Sequence, residues 1–278
     1  MLRSMFSAIS GLKSHQTMLD VTANDIANVN TIGFKASRTT FKDSLAQTQS
    51  GGAAPSGTQG GANAKQIGLG VSLGSIDNQM QGGALQSTGN VLDVAIQGDG
   101  WFRVGGGAPP TVPTSFQYTR AGNFTRNQQG YLVTQDGAYV MGRTAAGAGG
   151  TDSFLQVPTG AANVSIGQDG SVAYDPSGGG ARVVAGFMSL ATFANEAGLE
   201  RGSANRWNSS AASGTESVGT PGDGSGVGLV ASGAVEMSNV DLASEFTNMI
   251  TAQRGFQANS RVISTADEVL QELVNLKH

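Results

Sequence analysis

The stretch Leu242–Val274, LASEFTNMITAQRGFQANSRVISTADEVLQELV, carries apolar side chains at alternating steps of three and four residues. The stretch 2–28, LRSMFSAISGLKSHQTMLDVTANDIAN, has the same spacing. This period gives a helix one apolar stripe, which leaves water only when it meets another helix. The two stretches therefore predict two terminal helices that pair in an antiparallel or splayed manner, within one chain, between chains, or both.

These apolar stripes are expected to serve association, because chain termini are otherwise the least ordered parts of a domain. The expected association interface of the N-terminal helix and the residues after it comprises Met5, Phe6, Ile9, Leu12, Leu19, Ile26, Asn28, Gly33 and Phe34. The expected interface of the C-terminal helix comprises Leu242, Phe246, Met249, Gln253, Gly255, Phe256, Ser260, Ile263 and Leu270.

Three small or polar residues interrupt the C-terminal stripe. Gln253 and Ser260 are either tolerated defects or set the register between neighbouring helices, and we favour the register role because buried polar residues do this in coiled coils. Gly255 costs about 1 kcal/mol relative to Ala inside a helix. It marks either a kink or the close approach of another helix.

The middle of the chain has a period of two, which is typical of strands. Asp-Gly pairs at 99–100, 136–137 and 169–170 separate short apolar runs. Asp-Gly between such runs is a strong hairpin signal, because both residues accept positive φ. Three hairpins and an antiparallel β domain are therefore expected. The Gly- and Ser-rich stretches 50–64 and 208–228 have the composition of flexible linkers.

The fold class expected from these patterns is α+β, with paired, coiled-coil-like terminal helices and one antiparallel β domain. Residues 1–35 and 238–278 are expected to form the helical domain, residues 36–75 and 208–237 to connect, and residues 76–207 to form the β-rich domain. The last helix is expected to start near Asn239 or Asp241, either of which can cap it.

Composition excludes several classes of protein. The net charge is −4 and the sixteen basic residues are scattered, so no basic patch for a nucleic acid is expected. The chain has no cysteine, which removes disulfides and thiolate chemistry. No stretch approaches the roughly 20 apolar residues that span a bilayer. Because the N-terminus lacks a continuous apolar run, any export is expected to proceed without a cleaved signal peptide.

Histidine argues against a catalytic or metal site. The two histidines, His15 and His278, both lie in the terminal regions, away from the β domain. Asp93 and the aspartates of the Asp-Gly turns leave a paired-carboxylate hydrolase formally open, but turn aspartates are usually local hydrogen-bonding residues. Gly68–Gly74 is only weakly similar to a phosphate-binding loop. No catalytic, cofactor-binding or metal site is expected.

Several motifs resemble the axial proteins of the bacterial flagellum, over nearly the whole chain. Residues 23–35, ANDIANVNTIGFK, are similar to the hallmark shared by rod and hook proteins. Residues 236–250, EMSNVDLASEFTNMI, and 252–276 resemble the hook proteins most. Residues 155–172, LQVPTGAANVSIGQDGSV, instead resemble the distal rod protein.

The resemblance implies a subunit of the flagellar hook, of a compact type with a single β domain. Such a subunit would polymerise into a flexible hollow tube that transmits torque and lines the export channel at the cell surface. Its expected partners are copies of itself, the distal rod, the hook cap, the hook-filament junction proteins and the flagellar type III export apparatus. The linkers would let β domains slide as the tube bends. The alternatives are a rigid distal rod subunit and, less favoured, a secreted β-rich carbohydrate-acting enzyme.

Overall fold

The computed structural model describes residues 2–276 apart from 56, 58–59, 108, 110, 112, 114, 148–149, 177–179 and 225. Three residues of the expected 50–64 linker, and 1 and 277–278 of the expected helical domain, therefore lie outside the described residues. The chain forms two compact units. Unit 1 comprises Met1–Ala27, Ser37–Asn78 and Asp241–His278, and unit 2 comprises Asn28–Ala36 and Gln79–Val240.

Two long helices form the terminal parts of unit 1: α1 (Leu2–Ala27) and α2 (Leu242–Asn275). Asp241 caps α2, since its side chain accepts a hydrogen bond of 3.0 Å from the Ala243 N–H. This bond satisfies a helix-end donor that has no partner inside the helix. The two terminal helices and the Asp241 cap predicted from the sequence are confirmed.

A two-stranded ribbon completes unit 1. Its base pairs β1 (Ser37–Asp43) with β4 (Val71–Asn78), and its outer part pairs β2 (Ala46–Ser50) with β3 (Lys65–Gly68), all antiparallel. Residues 36–75, expected to be a connecting region with a flexible linker at 50–64, thus consist largely of paired strands. Polar, Gly-rich sequence hides such a ribbon, because its hydrogen bonds need no buried side chains, and every residue of β2 and β3 is exposed.

Unit 2 is a β domain of short strands in which every pairing of registered strands is antiparallel. Its strands are β5 (Leu85–Ser87), β6 (Val94–Gln97), β7 (Trp101–Gly105), β8 (Gln117–Thr119), β9 (Thr125–Arg126), β10 (Leu132–Val133), β11 (Tyr139–Arg143), β12 (Asp152–Phe154), β13 (Ala162–Ile166), β14 (Ser171–Asp175), β15 (Val183–Met188), β16 (Leu190–Thr192), β17 (Glu200–Arg201), β18 (Trp207–Asn208), β19 (Ser217–Gly219), β20 (Leu229–Ser232) and β21 (Ala234–Glu236). The main path of the large sheet runs β13-β14-β15-β11-β7-β8-β18-β17. The α+β fold is therefore confirmed.

Two of the three predicted Asp-Gly hairpins are present. Gly137 and Gly170 have φ of 80° and 72°, and they connect β10 to β11 and β13 to β14. The prediction at Asp99-Gly100 is wrong, because β6 pairs with β20 and not with β7. The strand that pairs with β6 is therefore β20, which lies far away in the sequence, and not β7, which follows directly after Asp99-Gly100.

The stretch 208–237 is also part of the β domain and not a linker. Its strands β19, β20 and β21 pair with β16, β6 and β5 respectively. Val227, Val230 and Val235 are buried. A few buried valines among many Gly and Ser residues hold these short strands in the β domain. The average composition of the stretch does not show these valines, because Gly and Ser dominate it.

Candidate assembly surface

The two helices of unit 1 run antiparallel and approach closely at glycines. A Cβ atom at Gly11 would lie 2.8 Å from the side-chain nitrogen of Asn259, and one at Gly255 would lie 2.5 Å from the His15 ring. Residues 11 and 15 of α1 therefore lie beside 259 and 255 of α2. The close helix approach inferred at Gly255 is confirmed, and the approaching helix is α1 of the same chain.

The face of α2 that meets α1 shares its large apolar residues with the predicted stripe, but each residue between them lies one position earlier in the sequence. The half-buried or buried members of this face are Met249, Ala252, Phe256, Asn259, Ile263, Ala266 and Leu270. The positions between the large residues hold Ala252, Asn259 and Ala266, and the two alanines let the helix backbones approach each other. Gln253 and Ser260, one residue further along at each step, are exposed. They do not set the register of this helix pair, and their role between copies stays a prediction.

Other predicted interface residues fall into two groups. Met5, Leu12, Leu19, Ile26, Met249, Phe256, Ile263 and Leu270 are half-buried in unit 1. Phe6, Ile9, Leu242 and Phe246 are exposed, Phe6 to 67% of its surface. Further large apolar side chains that sequence reasoning did not assign to the interface are exposed on α2 and on its C-cap residue, namely Ile250, Val262, Val269, Leu273, Val274 and Leu276. Exposed apolar side chains that gather into a patch are typical of protein–protein interaction sites.

The last three residues predicted for the N-terminal interface belong to unit 2. Asn28 follows the end of α1 and accepts a 3.0 Å hydrogen bond from the Thr31 hydroxyl. Gly33 and Phe34 are buried, which corrects their assignment to an exposed helical interface. Gly33 has a φ of +68°, and a Cβ there would lie 2.5 Å from the backbone nitrogen of Ala121. Only glycine fits both the conformation and the space.

A buried ion cluster anchors the segment 28–36 within unit 2. Lys35 Nζ lies 2.6 Å from Glu236 Oε1, and Arg120 Nη1 lies 3.2 Å from Glu236 Oε2. All three side chains are almost fully buried. Backbone groups complete the coordination, since Lys35 donates to the Gln81 carbonyl and the Gly83 N–H donates to Glu236. Buried charges are tolerated only when paired and hydrogen-bonded in this way.

Burial shifts the pKa values of two charged groups near the cluster. Burial lowers the pKa of Lys35, while the adjacent Glu236 carboxylate opposes that shift. Burial raises the pKa of Glu196, and Arg120 and the hydrogen bond from Trp101 oppose it in turn. In both cases the neighbouring opposite charge offsets part of the pKa shift that burial produces.

Two further contacts hold the same segment. The Arg201 guanidinium lies over the rings of Phe34 and Trp207, at 4.8 and 5.1 Å, and donates to the Lys35 carbonyl. The Asn239 side chain accepts from the Ala36 N–H at 2.7 Å. It also donates to the carbonyls of residues 79 and 81 at 2.8 and 3.1 Å. The Asn239 side-chain amide therefore binds both the end of segment 28–36 and the start of segment 79–240.

Neither the ion cluster nor the Asn239 contacts could be found by sequence reasoning. Lys35 and Glu236 are separated by 201 residues, and no local periodicity links them. In the sequence, Lys35 is the last residue of the motif 23–35 and Glu236 is the first residue of the motif 236–250. Their place in these motifs does not indicate that the two side chains are in contact.

The described residues contain no group of three or more His, Asp or Glu side chains placed to hold a metal ion. Within the same residues, neither helix is apolar enough over its length to cross a membrane.

Comparison with known proteins gives three matches to described families. Residues 5–35 match "Flagella basal body rod protein", residues 95–174 match "Flagellar hook protein FlgE/F/G D1 domain", and residues 231–276 match "Flagellar basal body rod FlgEFG protein C-terminal". The matches at the two ends include all of α1 and α2 except the first residues of α1.

Individual relatives include both rod and hook proteins. The flagellar basal-body rod protein FlgG of Bacillus subtilis is 52% identical over 278 residues, which is 100% of both chains. FlgG of Agrobacterium fabrum is 39% identical, covering 96% of this chain and 97% of its own. The flagellar hook protein FlgE of Borreliella burgdorferi is 27% identical over an alignment of 449 residues that covers both chains completely.

Proposed function

This chain belongs to the family of flagellar rod and hook proteins, and from that premise we propose that it is the structural subunit of the distal rod. The family makes the chain an axial structural component of the bacterial flagellum. The observation that carries the finer assignment is the end-to-end correspondence with rod proteins, 52% identical over 100% of both chains in the B. subtilis case.

The hook assignment that the sequence motifs favoured is not confirmed. Alignment to the hook relative extends over 449 residues, although this chain has 278, so that protein carries long insertions that are absent here. The rod relatives of B. subtilis and A. fabrum match without such insertions. The relatives therefore support the distal rod, the alternative that the sequence analysis left open.

The ribbon of unit 1 also favours a stiff tube over a bendable one. The hypothesis of sliding β domains depended on 50–64 being a flexible linker. Hydrogen bonds of the ribbon instead continue through Ser44 to Gly70, Leu69 to Leu45 and the Ala53–Ala62 bridge. An unpaired Gly/Ser linker behaves as a flexible random coil, and the paired strands of this ribbon are not such a linker. The physical argument for a flexible hook is therefore lost at this segment.

In the proposed function the helix pair of unit 1 is the polymerising part. Its exposed apolar side chains meet those of neighbouring copies, and a repeated contact that does not close builds a helical tube. The helices would line the export channel of that tube. The subunit would leave the cell through the flagellar type III export apparatus without a cleaved signal, and torque would pass through the assembled rod. No catalytic role is proposed.

Complementation tests the proposal. A B. subtilis strain that lacks its FlgG would receive a plasmid encoding this chain, and swimming would be scored on soft agar. We expect swimming and complete basal bodies, because the two chains correspond along their whole length. The same plasmid in a strain that lacks its hook protein should leave the hook absent. If the plasmid restored hooks in the strain that lacks the hook protein but did not restore swimming in the strain that lacks FlgG, the chain would be a hook subunit instead.

A further inference from the structure

The segment 28–36, all of which the structure describes, belongs to unit 2 but forms neither a strand nor a helix. Unit 2 has two hydrophobic cores, one around Phe102 and one around Trp101. Among the described residues, neither core includes a member of the segment, although Phe34 is buried. All the residues of both cores lie within 79–240. The apolar side chains of the β domain are therefore packed without any contribution from the segment.

Hydrogen bonds hold the segment along its main chain instead. The carbonyl of Ile32 accepts a bond of 2.7 Å from the Asn205 side chain. The Gly33 N–H donates to the Glu236 carbonyl at 2.8 Å. With the bonds at the end of the segment, each residue from 32 to 36 is bonded through its main chain to a residue of 79–240. A peptide bound to a protein surface is held in the same way, because main-chain bonds supply affinity and side-chain pockets supply specificity.

Three successive residues of the segment meet three different kinds of partner. Gly33 leaves no room for a side chain, because an added Cβ would collide with a neighbouring backbone. The Phe34 ring lies 4.8 Å from the Arg201 guanidinium, within the range of a cation–π contact. The Lys35 ammonium is paired with the buried Glu236 carboxylate. The side-chain requirements of the site are therefore a glycine, an aromatic ring and an ammonium, in that order.

The residues that receive the segment are also bonded to groups outside it. Glu236 accepts hydrogen bonds from the Arg120 guanidinium and from the Gly83 N–H. The carbonyl of Asn205 accepts a bond of 3.0 Å from the Thr119 hydroxyl. None of these bonds involves the segment, so they fix the receiving side chains whether or not the segment is in place. Ligand sites that are formed before the ligand arrives are the usual case in proteins.

We propose that segment 28–36 is an internal peptide ligand of the β domain, and that residues 79–240 form a groove that recognises its Gly-Phe-Lys sequence. In the native chain the segment fills this groove, because its attachment to the domain gives it an effective concentration of about 1 mM or more. If the attached segment is replaced, the same sequence added as a separate peptide takes its place. The proposal does not depend on whether the chain is a rod or a hook subunit.

Peptide binding to the full-length chain tests the proposal. A variant in which residues 32–36 are replaced by Gly-Ser-Gly-Ser-Gly keeps the chain length but leaves the groove empty. The probe is a fluorescein-labelled peptide with the sequence of 28–36, NVNTIGFKA, and its binding is followed by fluorescence anisotropy. We expect saturable binding to the variant and binding at least about tenfold weaker to the unmodified chain, whose own segment competes. The matched control peptide carries Lys35→Met and should bind the variant at least about tenfold more weakly, because Glu236 loses its ammonium partner.

Each other outcome would overturn the proposal. Equal binding of the two peptides, or equal binding to the variant and the unmodified chain, would mean that the peptide binds outside the groove. A folded variant that binds no peptide would mean that the groove does not persist without its segment. A variant that lacks the β-sheet circular dichroism signal would mean that residues 79–240 need the segment in order to fold.

Hydrogen exchange of the unmodified chain provides a second measurement. The N–H groups of Gly33 and Ala36, bonded to unit 2, should exchange at least about 100-fold faster than those of Val94 and Leu132 in the core. The reason is that a bound segment can dissociate by a local opening, whereas the core opens only on unfolding of the domain. Equal protection of the two pairs would mean that the segment and the core open together, which would contradict the proposal.

Discussion

Lys35, Arg120 and Glu236 form a buried cluster whose formal charges sum to +1. Glu236 is the shared anion, held by both cations and by the Gly83 N–H. The three residues come from segments far apart in the chain, so the cluster fixes their mutual positions. Its members are therefore unequal: removing the anion leaves two cations buried, whereas removing Lys35 leaves an ion pair.

This inequality gives an ordered prediction. Glu236→Gln should lower the free energy of unfolding by about 3–5 kcal/mol, as expected when one partner of a buried ion pair is removed. Lys35→Met should cost less, about 1–3 kcal/mol, because the Gln81 carbonyl keeps its hydrogen bond from Asn239 and Glu236 keeps its bond from Arg120. Urea unfolding followed by tryptophan fluorescence measures both, since Trp101 and Trp207 are buried in unit 2. A larger loss for Lys35→Met would contradict the assigned role of Glu236.

Gly33 combines a positive φ with contact to the backbone of a neighbouring segment. Gly33→Ala should cost the strain of the left-handed conformation, about 1–2 kcal/mol, and a further 1–3 kcal/mol or so of overlap with Ala121. Gly89→Ala is the matched control, because Gly89 has a φ of +72° but nothing within 4 Å of the added Cβ. Denaturant unfolding should show a clearly smaller loss for the control. Equal losses would mean that the segment 28–36 is not packed as described.

At the scale of elements, the helix pair depends on close packing at glycine. Replacing Gly255 by Leu should lower the melting temperature of the helical circular dichroism signal. Overpacking costs about 1–3 kcal/mol and exceeds the gain of about 1 kcal/mol in helix propensity. Gln257→Leu, at an exposed position two residues away, serves as the control and should leave the melting temperature nearly unchanged. If Gly255→Leu were as stable as the parent chain, the close approach of α1 and α2 would be disproved.

Elements governed by local rules were predicted from the sequence, and elements governed by distant partners were not. The helices have a sustained apolar period, and Asp241 supplies a local cap, so their existence and bounds were accessible. The ribbon 37–78 and the strands within 208–237 consist largely of small polar residues, whose pairing depends on partners elsewhere in the chain. The large apolar residues 249, 256, 263 and 270 recur every seven residues, and the stripe can be completed by the residue three or four positions after each of them. The sequence pattern favours Gln253 and Ser260 at these positions, whereas the structure buries Ala252 and half-buries Asn259.

At the scale of the whole molecule, a structural function follows from the family and from two packing features. Unit 1 presents a helix pair with uncovered apolar residues, and unit 2 fixes segment 28–36 through buried charges. In the proposed function, unit 1 would supply surfaces for other copies. Within unit 2, the Asn239 side chain binds both the end of segment 28–36 and the start of segment 79–240. The sequence motifs indicate the axial family correctly. They favour the hook, which is not confirmed, because the terminal motifs are similar in rod and hook proteins.

The most direct test of the distal rod assignment is electron cryomicroscopy of hook–basal bodies isolated from the parent organism, with side-chain density used to identify each layer of the axial tube. The assignment predicts that density for this chain fills the straight rod segment directly beneath the hook. Density for this chain in the curved hook, with a different protein in the rod beneath it, would contradict the assignment.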